Sequence, residues 1–154
     1  MRWLVYGHKG WIGQQVIQYL QETFPSDQLI LGQSRLENFD ELQNEILETL
    51  LKLPTEKLRI LSFTGRTHGP CFSTIDYLEQ PGKLDINLRD NLYGPINLAI
   101  ITRAWNNLIH YTYLGTGCIY QYDVNHLLCT DKGFTEEDLP NFTGSSYSTV
   151  KGYT

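Results

Sequence analysis

Arg2-Trp3-Leu4-Val5-Tyr6-Gly7-His8-Lys9-Gly10-Trp11-Ile12-Gly13 is the stretch whose reading decides the fold. Residues 2–6 are rich in strand formers and short enough to be one buried strand. Gly7, Gly10 and Gly13 follow at once. A turn this tight needs positive φ, and a backbone that lets a diphosphate approach closely; glycine permits both. Residues 11–23 then read as a helix with Ile12, Val16, Ile17 and Leu20 on one face, broken by Pro25 and Ser26. Three spaced glycines alone would be ordinary turn residues. Between a strand and a helix they become a phosphate loop, with Trp11 and Ile12 opening the helix whose free N–H groups and partial positive charge meet the anion. His8 and Lys9 read as exposed loop residues.

Working outward, residues 28–32 form a second strand, and 39–53 an amphipathic helix with Phe39, Leu42, Ile46, Leu50 and Leu53 at helical spacing, stopped by Pro54. Residues 57–63 are a third strand whose end opens at Thr64-Gly65. A mostly looped stretch, 64–84, contains a helical turn near Ile75–Leu78. A long helix is predicted over 85–105, with Leu92, Ile96, Ala99 and Ile100 facing the core, followed by a fourth strand at 110–114. Residues 117–143 are irregular, and a helix begins near Ser145. Strands alternating with helices imply right-handed crossovers and a parallel sheet covered on both faces. The expected class is α/β, a Rossmann-type doubly wound parallel sheet with strand order second, first, third, fourth. A ligand should bind at the carboxyl ends of the strands. Residues 1–154 read as one dinucleotide-binding domain.

Composition narrows the possibilities. The chain has 154 residues, 41% hydrophobic and 19% charged, with a formal net charge of −5. Nucleic-acid binding, which needs a basic face, is not expected. No apolar run approaches the ~20 residues of a membrane helix, and no secretory signal opens the chain, so a cytoplasmic location without membrane contact is the default. Cys71, Cys118 and Cys129 read as reduced thiols, the first and last of them structural. The Asn141-Phe142-Thr143 sequon carries no weight without a secretory signal. His8, His68, His110 and His126 lack metal-ligand spacing, and no metal site is expected.

The second strand is followed by Ser34 and Arg35. A carboxylate here would bond the ribose 2′-hydroxyl of NAD; Arg can fork onto a 2′-phosphate and Ser can add a hydrogen bond, which favours NADP. Tyr147-x-x-x-Lys151 puts a phenol and an ammonium on one face of a helix. The cation stabilises a phenolate and eases proton transfer to a ketone oxygen. Alone, this spacing is common among exposed helix residues; its weight comes from following a glycine loop and Thr116, a hydroxyl just past the fourth strand. Cys118, two residues on, is either a packing thiol or an acid/base. Pro95 lacks an N–H, so the carbonyl of Asn91 loses its helical partner. A kink is expected there, either to fit the core or to hold a water near Lys151.

The stretches GHKGWIG (7–13), SRLEN (34–38), TGRTHGP (64–70), IDYLEQPGKL (75–84), RDNLYGP (89–95), GTGCIYQYD (115–123) and FTEEDLPNFTGSSYS (134–148) together resemble the extended short-chain dehydrogenase/reductases. The nearer likeness is to the bifunctional 3,5-epimerase/4-reductases of UDP-rhamnose synthesis, similar to dTDP-4-dehydrorhamnose reductases, in plants and giant viruses. The resemblance implies NADPH-dependent reduction at C4, with 3,5-epimerisation, of a UDP- or dTDP-4-keto-6-deoxyglucose. It implies that Thr116, Tyr147 and Lys151 serve the reductase step, that Cys118 is an acid/base of the epimerase step, and that Thr67 and His68 meet the sugar. Gly7, Gly10, Trp11, Ile12, Gly13, Ser34, Arg35, Thr64, Gly65, Tyr147 and Lys151 would then line the coenzyme, and Asn91 would support catalysis. Family chains continue into a smaller sugar-binding domain and supply a second epimerase lysine. Neither has a counterpart in these residues, so the sheet is expected to be incomplete on its carboxyl-terminal side. Relatives pair through helices like 85–105, so a homodimer is expected of a full-length form. Two alternatives stay open: a non-catalytic dinucleotide-binding or structural module, and a related enzyme acting on another nucleotide sugar.

Overall fold

The structure, a computed structural model, describes residues 1–52, 56–105 and 108–154. Four parallel strands form one sheet: β1 (Arg2–Tyr6), β2 (Gln28–Leu31), β3 (Leu58–Ser62) and β4 (Ile109–Tyr113), in the order β2-β1-β3-β4. This is the expected doubly wound arrangement. β1 is buried along its whole length, as a central strand covered on both faces must be.

The pleat of β1 sends alternate side chains to two cores. Leu4 and Tyr6 join Leu58, Ile60 and Ile109 under Leu42, Ile46 and Leu50 of α2 (Phe39–Lys52) and Leu98 and Ile101 of α4 (Gly94–Arg103). Trp3 and Val5 face the other way, against Val16, Ile17 and Leu20 of α1 (Trp11–Thr23). The predicted end of the second helix at Leu53 and its stop at Pro54 lie outside the described residues.

The predicted helix 85–105 is not one α-helix. It comprises α3 (Leu84–Leu88), a π-helical turn (Arg89–Tyr93) and α4. The N–H of Gly94 bonds the carbonyl of Arg89, five residues back. Pro95 then sits in the first turn of α4, where a missing N–H costs little. The carbonyl of Asn91 accepts from the Thr154 hydroxyl at 2.8 Å, which takes the place expected for a water. The core face also differs. Ala99 and Ile100 are exposed, and Leu92 and Ile96 only half-buried, while Leu98 and Ile101 are buried. The buried face carries Asn87, Asn91, Gly94 and Thr102, so apolar periodicity selects the neighbouring stripe. Cys71 and Cys129, expected to be structural, are exposed.

Among the described residues, no helix is long and apolar enough to cross a membrane.

Candidate functional site

Two adjoining cavities of about 570 and 400 Å³ open at the carboxyl end of the sheet and share Gly10, Phe63, Thr64 and Gly65. Each lies in the size range of a small-molecule pocket. The wall between them is the glycine loop. Gly7 has φ of +78°, and a Cβ on it would lie 2.7 Å from the carbonyl carbon of Phe63. A Cβ on Gly13 would collide with the carbonyl oxygen of Gly7. The loop therefore packs backbone against backbone. α1 starts at its end with no side chain capping its N-terminus.

The larger cavity runs from the loop along β2 to Gly32, Ser34 and Arg35. The turn after β2 is held by Glu45 of α2, whose carboxylate accepts the N–H groups of Gln33 at 2.7 Å and Ser34 at 3.0 Å and the hydroxyl of the buried Tyr6 at 2.9 Å. Burial, followed by the neighbouring Glu45 charge and hydrogen bond, pushes the Tyr6 phenol far up, so it remains a neutral donor. Arg35 is 70% exposed and pairs with Glu37 at 2.7 Å. Asp90 of the π-helical turn accepts from Arg89 at 2.7 Å and Arg66 at 2.6 Å. Burial alone would raise the Asp90 carboxyl; the hydrogen bonds and charges of the two arginines outweigh it and hold it below the ordinary value.

The smaller cavity is lined by Trp11, Ile12, Gly13, Thr67, His68, Asn91, Leu114, Tyr147 and Lys151, among others. α5 (Ser146–Gly152) carries the phenol and the ammonium. Its first turn is satisfied group by group. Glu79 accepts the N–H of Ser146 at 2.9 Å and of Tyr147 at 3.1 Å, and the Ser145 hydroxyl accepts that of Ser148 at 3.0 Å. Asn87 donates to the Ser146 hydroxyl at 2.9 Å and accepts from Asn91 at 2.8 Å. The Asn91 side chain is clasped to the backbone of Arg66 through both its amide atoms. Asn91 is thus a buried strut between the loop after β3 and the helix of Tyr147.

Tyr147 is buried, and burial raises its phenol; a hydrogen bond from Thr116 acts the other way, and the nearby Cys118 adds to the rise. Cys118 is exposed, and its N–H bonds the Thr116 hydroxyl at 3.3 Å. Lys151 is 7% exposed and sits 4.3 Å from the centre of the Tyr113 ring, bonded to the Tyr113 hydroxyl. Burial pulls its ammonium down to about 8.

The structure therefore brings Tyr147 and Lys151 into the smaller cavity with Thr67, His68 and Asn91, sets Thr116 and Cys118 beside Tyr147, and puts Ser34 and Arg35 in the larger cavity. Sequence reasoning missed Glu45, Glu79, Asn87, Arg89 and Tyr113. Glu45 had a signal, a carboxylate next to Ile46 on the core-facing side of an amphipathic helix. Glu79 had none, because its partners lie 67 and 68 residues away.

No protein-family model matches the chain. Over all 154 residues it is 51% identical to protein L780 of Acanthamoeba polyphaga mimivirus, half of whose length (50%) it covers. The crystal structure of that protein, a UDP-rhamnose synthase, superposes with a TM-score of 0.84 over 99% of this chain and 50% of the other. A bifunctional dTDP-4-dehydrorhamnose 3,5-epimerase/reductase of Arabidopsis thaliana is 33% identical over 153 residues, 96% of this chain and 44% of its own. The chain is a relative of this UDP-rhamnose synthase and of the plant epimerase/reductase. In fold it matches a short-chain dehydrogenase/reductase superfamily protein of Agrobacterium tumefaciens, solved with NAD, at a TM-score of 0.63 and 16% identity, over 99% of this chain and 42% of that one, and RMD of Pseudomonas aeruginosa, solved with NADPH, at a TM-score of 0.65 and 20% identity, over 99% of this chain and 47% of that one. The chain spans about half the length of the curated relatives named here.

Proposed function

We propose that this chain is the NADP(H)-binding part of an enzyme of rhamnose nucleotide-sugar synthesis, reducing the 4-keto group of a UDP- or dTDP-4-keto-6-deoxyglucose and taking part in its 3,5-epimerisation. The observation that carries the reading is a groove of two adjoining cavities, with an uncapped, glycine-cradled helix N-terminus between them and Tyr147 and Lys151, next to Thr116, in the smaller one. These residues fit a dinucleotide. The Gly7–Gly13 turn would offer backbone to a diphosphate, Ser34 and Arg35 would hold the ribose of the adenosine half, and Thr64 and Gly65 would lie beneath the coenzyme.

When bound, the nicotinamide coenzyme supplies the hydride. Tyr147 donates its proton to the ketone oxygen as the carbinol forms, and Thr116 holds that oxygen by a hydrogen bond. The Lys151 ammonium, one turn along the same face of α5, lowers the cost of the phenolate left behind. Tyr147 cannot serve as an easy acid unaided, since burial raises its phenol. Cys118, exposed beside Thr116, exchanges a proton at a carbon next to the ketone in the epimerase step. Thr67 and His68 line the same cavity and would meet the sugar there. Cytoplasmic location and homodimer formation by the full-length protein belong to the same proposal.

The test is NADPH consumption by the full-length protein with UDP-4-keto-6-deoxyglucose, with other 4-keto nucleotide sugars alongside. Tyr147→Phe should cut turnover by about 10²–10⁴-fold, the typical worth of a general acid, while NADPH still binds. Unchanged turnover in the variant would defeat the assignment. Turnover with a different keto sugar alone would point to another nucleotide-sugar reductase.

A further inference from the structure

The mouth of the larger cavity has an unusual charge balance for an acidic protein. Lys9, Arg35, Arg66 and Arg89 line it against two carboxylates, Glu37 and Asp90. The two carboxylates are held differently. Asp90, 14% exposed, is fixed by Arg66 at 2.6 Å and by the Nε and Nη2 of Arg89 at 2.7 and 3.2 Å. Glu37, 29% exposed, stands between two guanidinium groups: its Oε1 is 2.7 Å from Arg35 Nε and 3.9 Å from Arg89 Nε. Asp90 anchors Arg89, and Glu37 is the exchangeable partner.

We propose that Glu37 is a coenzyme-discriminating residue, a built-in carboxylate that the 2′-phosphate of NADPH displaces from Arg35 and Arg89, and that Arg89 is a second cation of that subsite. This rests on the reading of the groove as a dinucleotide site. A phosphate monoester carries about −1.5 to −2 charge at neutral pH and three acceptor oxygens, against one charge and two oxygens for Glu37. It therefore wins the two guanidinium groups, but only after Glu37 has left them. NADH presents a 2′-hydroxyl instead. That hydroxyl cannot displace a carboxylate, yet it can donate a hydrogen bond to one, and acidic residues after the second strand accept such a bond in NAD sites. Glu37 thus works against NADPH and for NADH. Selectivity is set by the exchange, not by Arg35 alone. Arg35 is the more exposed guanidinium, and so the more screened.

The experiment is direct titration of the full-length protein with NADPH and NADH at two salt concentrations, for the wild type, Glu37→Gln, Arg89→Met and the double variant. Glu37→Gln should raise the NADPH-over-NADH affinity ratio about two- to fivefold, the scale of an exposed charge pair. Arg89→Met should lower NADPH affinity about tenfold with little change for NADH, and the gain from Glu37→Gln should shrink in the double variant. Thermal unfolding checks that Arg89→Met still folds; Arg66 remains to hold Asp90. The proposal is overturned if Glu37→Gln leaves the ratio within twofold of wild type, or if Arg89→Met weakens both coenzymes equally. A wild type that prefers NADH would sink the NADP reading. The shift of the ratio between wild type and Glu37→Gln would still decide the role of Glu37.

Discussion

Glu79 offers a sharp test of how the site is assembled, because it lies outside the groove and acts through backbone. Its two carboxylate oxygens take the N–H groups of Ser146 and Tyr147. Replacing it with alanine leaves both donors to water and removes a negative charge from the positive end of α5. A side-chain cap is worth about 0.5–2 kcal/mol, and a charge at a helix terminus about 0.3–1 kcal/mol when exposed. Ser145 still caps Ser148, so the turn keeps part of its support. The net loss is about 1–2 kcal/mol, a factor of roughly 5–30 in the opening of that turn. α5 has only seven residues, too few to persist without tertiary support, so its opening is local. Hydrogen exchange resolved by residue should show the amides of Ser146 and Tyr147 exchanging roughly 5–30-fold faster, with amides of β1 and β3 unchanged. Turnover should fall while coenzyme affinity at the adenosine end holds, since Tyr147 is in the loosened turn and the glycine loop is not. Glu79→Gln should lie between, keeping one acceptor and turning an amide N–H₂ toward the other donor. Exchange at Ser146 and Tyr147 within twofold of wild type in Glu79→Ala would refute the reasoning.

Two further outcomes follow from the geometry. Gly13→Ala drives a methyl group into the backbone of Gly7. It should cost about 1–3 kcal/mol as an overpacked contact, lower the melting temperature by roughly 2–12 °C and weaken coenzyme binding; a melting temperature within about 1 °C of wild type would contradict the packing described. For Lys151, burial lowers the folded-state pKa from 10.5 to about 8. Between those two values the unfolded chain holds a proton that the folded chain does not, so the contribution of Lys151 to stability is least below pH 8 and grows as pH rises toward 10.5. Activity runs the other way, because the ammonium is the working form. The profile of kcat/KM should fall above pH 8 while the Lys151 contribution to stability, obtained by comparison with Lys151→Met, increases. An activity profile flat to pH 10 would argue against the ammonium.

Some of this was legible in sequence because the signals were local. The run at 2–6, the glycines at 7, 10 and 13 and the helical pattern at 11–23 are contiguous, and they place the first strand at the centre of the sheet. The spacing of Tyr147 and Lys151 is likewise local. Other features were hidden for stated physical reasons. Gly94-Pro95 announces a disturbed helix, but a kink and a π-helical turn solve the same missing N–H equally well on paper. The choice depends on what takes the Asn91 carbonyl, which is Thr154. The buried face of that segment was misread because polar groups occupy it. Asn87 and Asn91 are buried because they satisfy one another, Arg66 and Ser146. The stretch 117–143 looks unstructured by pattern, yet Phe134 stacks on Tyr120 at 4.5 Å and on His126 at 4.1 Å, and Asn141 bonds Gln121 and Asp123.

These hidden contacts are the ones that bring the two ends of the site into one frame. The glycine loop is fixed by β1 and β3, close to it in sequence or in the sheet. The phenol and ammonium lie on a short helix far along the chain, which meets the sheet at Tyr113 of β4, bonded to Lys151. Its register is set by Glu79 on one side and by the relay Arg66–Asn91–Asn87–Ser146 on the other, which starts in the loop directly after β3. A buried amide relay is costly if one member is lost, since each remaining group then faces a missing partner. Asn87→Leu removes the middle of the relay while keeping volume similar. It should therefore disturb Tyr147 more than it disturbs the glycine loop: turnover falls by more than NADPH affinity. Equal loss of both would mean that the relay supports the fold as a whole and not the placement of one helix.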